Sequence, residues 1–140
     1  MSNRTLAIIK PDAIQNRLTG KIIDHILDNG FDIIAMKKIH LSVAEAKEFY
    51  AIHKEKPFYS DLVSFMTSGP CVVLTLQKEE AVEAWRNTIG ATDPAEASPG
   101  TIRNLYADTV QNNAVHGSDS DENAIKEIAF FFSINEILMN

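Results

Sequence analysis

The chain has 140 residues, 45% hydrophobic and 23% charged, the balance of one ordinary globular domain built around one core. Its formal net charge of -6 excludes broad nucleic-acid binding through a basic surface, but leaves room for a few cations focused on a phosphate in one cleft. No apolar run approaches the ~20 residues of a membrane span, no secretory signal is visible, and the one cysteine, Cys71, forbids an intrachain disulfide, so a cytoplasmic protein is expected.

Arg4 to Lys10 reads as a buried strand ending at Pro11, which cannot donate to a ladder. Thr19 to Asn29 reads as a helix with Ile22, Ile23, Ile26 and Leu27 as its apolar stripe and Gly30 as its stop. Phe31 to Leu41 is a second, partly polar strand. Ser42-Val-Ala-Glu45 has the form of a capping box, so a helix follows to about His53. Pro57 to Met66 completes a helical hairpin, and Thr67 to Pro70 is a turn. Cys71 to Leu76 is a continuous apolar strand, and Lys78 to Ile89 a helix with Val82, Trp85 and Ile89 on one face. Ala91 to Asn113 shows little periodicity, and a stretch of that length suggests a functional loop. Ser120 caps a last helix to about Ala129, with Asp121 and Glu122 in its first turn, and Phe130 to Ser133 reads as a final strand.

Without its insertions this order is β-α-β-β-α-β, an α+β ferredoxin-like antiparallel sheet with a helical-hairpin insert and a long active-site loop. The first and third strands are the most uniformly apolar, as central strands are. The fold itself names no function.

Neither a Walker A loop nor the protein-kinase motifs are present, so phosphate chemistry needs another arrangement. His116 precedes Gly117 at the end of the long loop, just ahead of a helix. A neutral imidazole there is a candidate nucleophile, and Glu127 on the next helix a candidate to fix its tautomer. From spacing alone, a hydrogen-bonded structural histidine is the commoner fate. Lys10, Arg86 and Arg103 stand at element edges or in the loop, where they read as phosphate ligands or as solvated surface. Thr92 and Asn113 could donate to phosphate or sugar, or cap turns. Phe58 could stack on a base or pack in the core, and Tyr50 has the same ambiguity between core and surface. His25, His40 and His53 show no metal-ligand spacing, and Cys71 reads as packing.

In chain order, Ile9-Lys-Pro-Asp-Ala13, His53-Lys-Glu-Lys-Pro-Phe58, Ser68-Gly-Pro70, the run from Arg86 to Pro94, Ser98-Pro-Gly-Thr-Ile-Arg103 and Asn113-Ala-Val-His-Gly-Ser-Asp-Ser120 resemble the nucleoside diphosphate kinase family, bacterial type, over essentially the whole chain. The resemblance implies a ping-pong exchange. A nucleoside triphosphate gives its γ-phosphate to His116, and a nucleoside diphosphate collects it. Mg²⁺ travels with the nucleotide, held by phosphate oxygens and water rather than by protein ligands. Lys10 meets phosphate and the ribose 3′-hydroxyl; Tyr50, Arg86, Thr92 and Arg103 surround the phosphates; Asn113 binds the sugar. Phe58 stacks on the base with Leu62 and Val110 near it. Glu127 orients His116, and Ser118 bonds to Glu127. Stacking accepts any base, so broad base and sugar tolerance is expected.

Asp93, the run Leu105-Tyr106-Ala107, and Asn112 depart from the commoner family pattern, and none of them touches His116 or its matched partners. The end at Asn140 leans towards a bacterial-type homo-oligomer, expected as a homotetramer built from dimers or as a bare dimer, with strand Phe31 to Leu41 as the candidate dimer contact. No membrane or direct DNA role is expected. The sequence admits two rival readings: a non-catalytic nucleotide-binding regulatory module on the same fold, and an interaction or DNA-associated subunit. The complete set of His116, Glu127, Lys10, Arg86 and Arg103 distinguishes an enzyme from either.

Overall fold

The computed structural model describes residues 3–138. The expectations drawn from the end of the chain at Asn140 fall outside them. Strand β1 (Arg4–Ile9) leads into a short helix α1 (Pro11–Gln15) and then α2 (Thr19–Asp28). Strand β2 (Asp32–Ile39) is followed by the hairpin of α3 (Val43–Phe49) and α4 (Tyr59–Met66), then β3 (Cys71–Gln77) and α5 (Ala81–Ile89). Helix α6 (Ile102–Tyr106), strand β4 (Val115–Gly117) and helix α7 (Asp121–Phe131) complete the order.

The strands form one antiparallel sheet in the order β2-β3-β1-β4. The two apolar strands are central, as their composition implies. The period of two sends β1 side chains to opposite faces. Ala7 and Ile9 pack with Ile22, Ile26, Trp85 and Ile89 on the face covered by α2 and α5. Leu6 and Ile8 pack with Ala46, Tyr50, Met66, Ile128 and Phe131 on the face covered by the hairpin and α7.

Local chemistry sets the element ends. Ser42 accepts from Glu45 N at 3.1 Å while its own N–H donates to Glu45 Oε1 at 2.9 Å, the expected capping box. Ser120 caps α7 by accepting from Asn123 N at 3.0 Å. Gly30, at φ +83, follows α2 in the left-handed region where glycine costs least.

Several expectations are corrected. The last strand of the sheet is Val115–Gly117, not Phe130 to Ser133. Phe130 and Phe131 close α7, where Phe131 lies three residues beyond Ile128 on its buried face. A run of three aromatics has strand propensity, but the helix period places Phe131 in the core and so wins. Pro11 does not simply stop β1; it opens α1 at a position where its missing N–H costs nothing. The helix after Ser42 ends at Phe49, and Ala51–His53 is a 3-10 turn. Leu27 is exposed, so the stripe of α2 is narrower than its four apolar residues suggest. Ala91 to Asn113 is not uniformly irregular: Pro94–Glu96 forms a 3-10 turn, and Thr101 caps α6 by accepting from Asn104 N.

Gly117 has a steric reason. A Cβ there would lie 2.7 Å from Trp85 Cδ1, 3.0 Å from Trp85 Nε1 and 3.1 Å from Ile89 Cδ1. The glycine admits the indole of α5, whose Nε1 donates to the His116 carbonyl at 3.0 Å. Gly117→Ala must push the fully buried Trp85 aside, and is expected to destabilise the protein by about 1–3 kcal/mol, as overpacking does. A fall in the urea unfolding midpoint at unchanged slope would show it.

Candidate active site

His116 faces Ile8 across the β1-β4 ladder, so its side chain lies on the same side of the sheet as that of Ile8, towards α3 and α7. Its Nε2 is 2.8 Å from Glu127 Oε1 on α7, and each side chain is 18% exposed. Ser118 Oγ donates to the same carboxylate oxygen at 2.8 Å and accepts from Leu6 N at 3.3 Å. An ionised carboxylate can only accept, so the proton of the imidazole belongs on Nε2 and the lone pair on Nδ1. The Phe49 ring stands at 67° to the imidazole, 5.6 Å between centroids. Tyr50 packs edge-on to Phe49 in the core beneath. Its hydroxyl is buried without a hydrogen-bond partner among the described residues, and burial, with Cys71 and Glu127 nearby, holds its pKa above the usual phenol value.

A cavity of about 430 Å³ is lined by Lys10, Phe58, Leu62, Thr92, Val110 and Asn113. A second, of about 330 Å³, has Arg86, Thr92 and Arg103 in its wall. Thr92 belongs to both. Eight of the nine residues expected to bind nucleotide therefore line two hollows that share a wall, one largely apolar with exposed Phe58 and Val110, the other cationic. Tyr50 is the exception, being core. His116, Glu127 and Ser118 form their own cluster outside both linings.

The cations are held with care. Lys10, 7% exposed, donates from Nζ to Asn113 Oδ1 at 2.8 Å, and Asn113 Nδ2 donates to the Thr92 carbonyl at 3.3 Å. Burial pushes the Lys10 pKa down to about 8; the charge of Arg103 adds to that and Asp12 opposes it. Arg103 donates to the carbonyls of Asn113, Gly90 and Val115 at 3.3, 3.0 and 2.8 Å. Its fork joins the loop to β4, and burial together with the charge of Arg86 brings its pKa down to about 10.

Sequence reasoning assigned no role to three neighbours of this cluster. Trp85 anchors the His116 carbonyl and Phe49 walls the ring. Asp12 Oδ2 accepts from Ala114 N at 3.1 Å. The Lys-Pro-Asp run contained Asp12, but nothing in the spacing linked it to a residue 102 positions away. Ala114 has φ +70, a conformation costing a non-glycine residue about 1–2 kcal/mol.

A family model described as nucleoside diphosphate kinase matches residues 3–137. The nucleoside diphosphate kinase of Nitratiruptor sp. is 60% identical over 135 residues, 96% of this chain and 98% of its own length. The chain belongs to the nucleoside diphosphate kinase family. It is an enzyme of the phosphotransferase class, and nothing among its relatives favours a non-catalytic module. The solved nucleoside diphosphate kinase of Aquifex aeolicus superposes with a TM-score of 0.95 at 44% identity, covering 97% of this chain and 99% of that one. A nucleoside diphosphate kinase from Halobacterium salinarum in complex with CDP gives 0.94 at 36% identity, covering 99% and 93%. Both carry the ferredoxin-like fold. No helix among the described residues is long and apolar enough to cross a membrane.

The buried Lys10 makes a thermodynamic prediction. Its pKa falls from 10.5 in the free side chain to about 8 in the fold, so between those values the unfolded state binds more protons. Folding stability from this group rises with pH across that window and is lowest below it. Relative to Lys10→Met, the wild-type protein is expected to gain up to about 3 kcal/mol between pH 7.5 and 10.5. Parallel urea titrations of the two proteins across that range measure the difference.

Proposed function

We propose that His116 Nδ1 accepts the γ-phosphate of a nucleoside triphosphate and passes it to a nucleoside diphosphate. The observation that carries this is the pairing of Nε2 with Glu127, which leaves Nδ1 as the ring's free lone pair. In the forward half-reaction Nδ1 attacks the γ-phosphorus. The bond from phosphorus to the β,γ-bridging oxygen breaks, and the diphosphate leaves with that electron pair. The Glu127 carboxylate offsets the positive charge that grows on the ring, and Ser118 holds the carboxylate. In the second half-reaction a terminal oxygen of the incoming diphosphate attacks phosphorus and the P–N bond breaks. One site serves both halves, as ping-pong exchange requires.

The apolar hollow would take the base against Phe58, with Leu62 and Val110 around it. Lys10 and Asn113 would meet the sugar and phosphate, and Arg86, Thr92 and Arg103 the phosphates, while Tyr50 lies in the core beneath the site. Contact with base faces rather than edges fits broad tolerance of bases, and the relative solved with CDP is consistent with a pyrimidine at such a site. The phosphate hollow is walled by Arg86 and Arg103, which suit phosphate oxygens rather than a metal ion. Mg²⁺ would therefore arrive on the nucleotide, coordinated by phosphate and water. The whole chain is read as one nucleoside diphosphate kinase domain working in the cytoplasm, where its nucleotides are. For assembly, β2 is an edge strand with Met36 exposed, and its outer edge is the candidate dimer contact in a homotetramer built from dimers.

Incubation with γ-labelled ATP and Mg²⁺, without acceptor, is expected to give acid-labile, base-stable label that GDP or CDP removes as triphosphate. Equal labelling of His116→Ala would defeat the proposal. Glu127→Gln is expected to slow transfer roughly 10²-fold with nucleotide binding nearly unchanged. For Phe58→Ala, calorimetry should find binding weaker by about 1–3 kcal/mol for every base alike.

A further inference from the structure

The Asp12 carboxylate reaches across the chain to the Ala114 amide. Its Oδ2 accepts from Ala114 N at 3.1 Å, and the Ala114 carbonyl accepts from Lys10 N at 2.8 Å. The peptide groups around Ala114 are thus held from both ends by the segment Lys10-Pro11-Asp12, at a residue whose φ of +70 disfavours any side chain. Asn113 precedes this residue, and its side chain takes the Lys10 ammonium at 2.8 Å. Val115 follows it and starts β4. The second oxygen, Oδ1, is buried without a partner among the described residues.

We propose that Asp12 is a positioning residue. It holds the Ala114 backbone in its left-handed conformation, so that Asn113 is aimed at the nucleotide's sugar before the nucleotide arrives. This rests on the sugar-binding reading of Asn113 given above. Asp12 touches neither substrate nor His116. Its effect is on the ribose 3′-hydroxyl contact, and base stacking and the phosphohistidine step do not depend on it.

The test compares KM for ATP and for its 3′-deoxy analogue in Asp12→Ala, with phosphohistidine labelling as a separate readout. Loss of the acceptor is expected to raise KM for ATP about tenfold and KM for the 3′-deoxy nucleotide less than twofold. Labelling at saturating ATP should persist. Adding Ala114→Gly removes the penalty on positive φ, and should return KM for ATP most of the way to the wild-type value. Equal increases for the two nucleotides, no increase for either, or no rescue by Ala114→Gly would each overturn the proposal. Should Asp12→Ala not fold, Asp12→Asn provides the measurement. It keeps an acceptor oxygen at Ala114 N and is expected to leave the ratio of the two KM values within twofold of wild type; a tenfold change in that ratio overturns the proposal. If wild type shows no preference for the 3′-hydroxyl, the sugar-binding reading fails and this proposal with it. A preserved wild-type preference with unaltered Asp12→Ala defeats this proposal alone.

Discussion

Three residues of β4, Val115 to Gly117, pair with β1, and the placing of His116 depends on that short ladder. So short a strand has little stability of its own. It is fixed by neighbours that each grip one part of it: Trp85 the His116 carbonyl, Arg103 the Val115 carbonyl, and the buried Val115 side chain the core. With the backbone fixed, the imbalance between the two nitrogens of the imidazole follows from a single carboxylate on α7. Ser118 bonds to that carboxylate from one side while accepting from β1 on the other, so sheet and helix are tied together beside the His116 ring.

The cationic half of the site is built against an electrostatic gradient. Lys10 and Arg103 are both largely buried, and each depresses its own charged form through desolvation and the proximity of another cation. In the free protein that arrangement costs stability. Under the proposed function a polyphosphate would supply the missing negative charge, and the interaction would be strong because water has already been removed from the donors. Hydrogen bonds to carbonyls and to Asn113 keep these donors in place beforehand, so less ordering is required when an anion enters.

Much of this was legible in the sequence, but unevenly. The two central strands declared themselves through unbroken apolar runs, and the caps at Ser42 and Ser120 through residue type and position. The grouping of Lys10, Phe58, Thr92 and Asn113 around one hollow came from the ordered family motifs; their separations along the chain carry no such information. What escaped was structure stabilised from a distance. Val-His-Gly has no alternation to mark it as a strand, because its pairing partner lies more than a hundred residues earlier. The Phe130-Phe131-Phe132 run carries a false strand signal, since aromatic residues suit either a pleat or a helix face. Tyr50 went to the core because its ring completes the packing under Phe49, which the position of the residue in its helix did not reveal.

The three carbonyls held by Arg103 give that residue a second identity besides its charge. A planar guanidinium can act as a mechanical joint, fastening chain segments that leave it in different directions. An ammonium at the end of a lysine carries the same charge but cannot present that fixed fork. At this position charge and geometry are inseparable, and an exchange that looks conservative on paper would loosen the junction between the loop and the strand bearing His116.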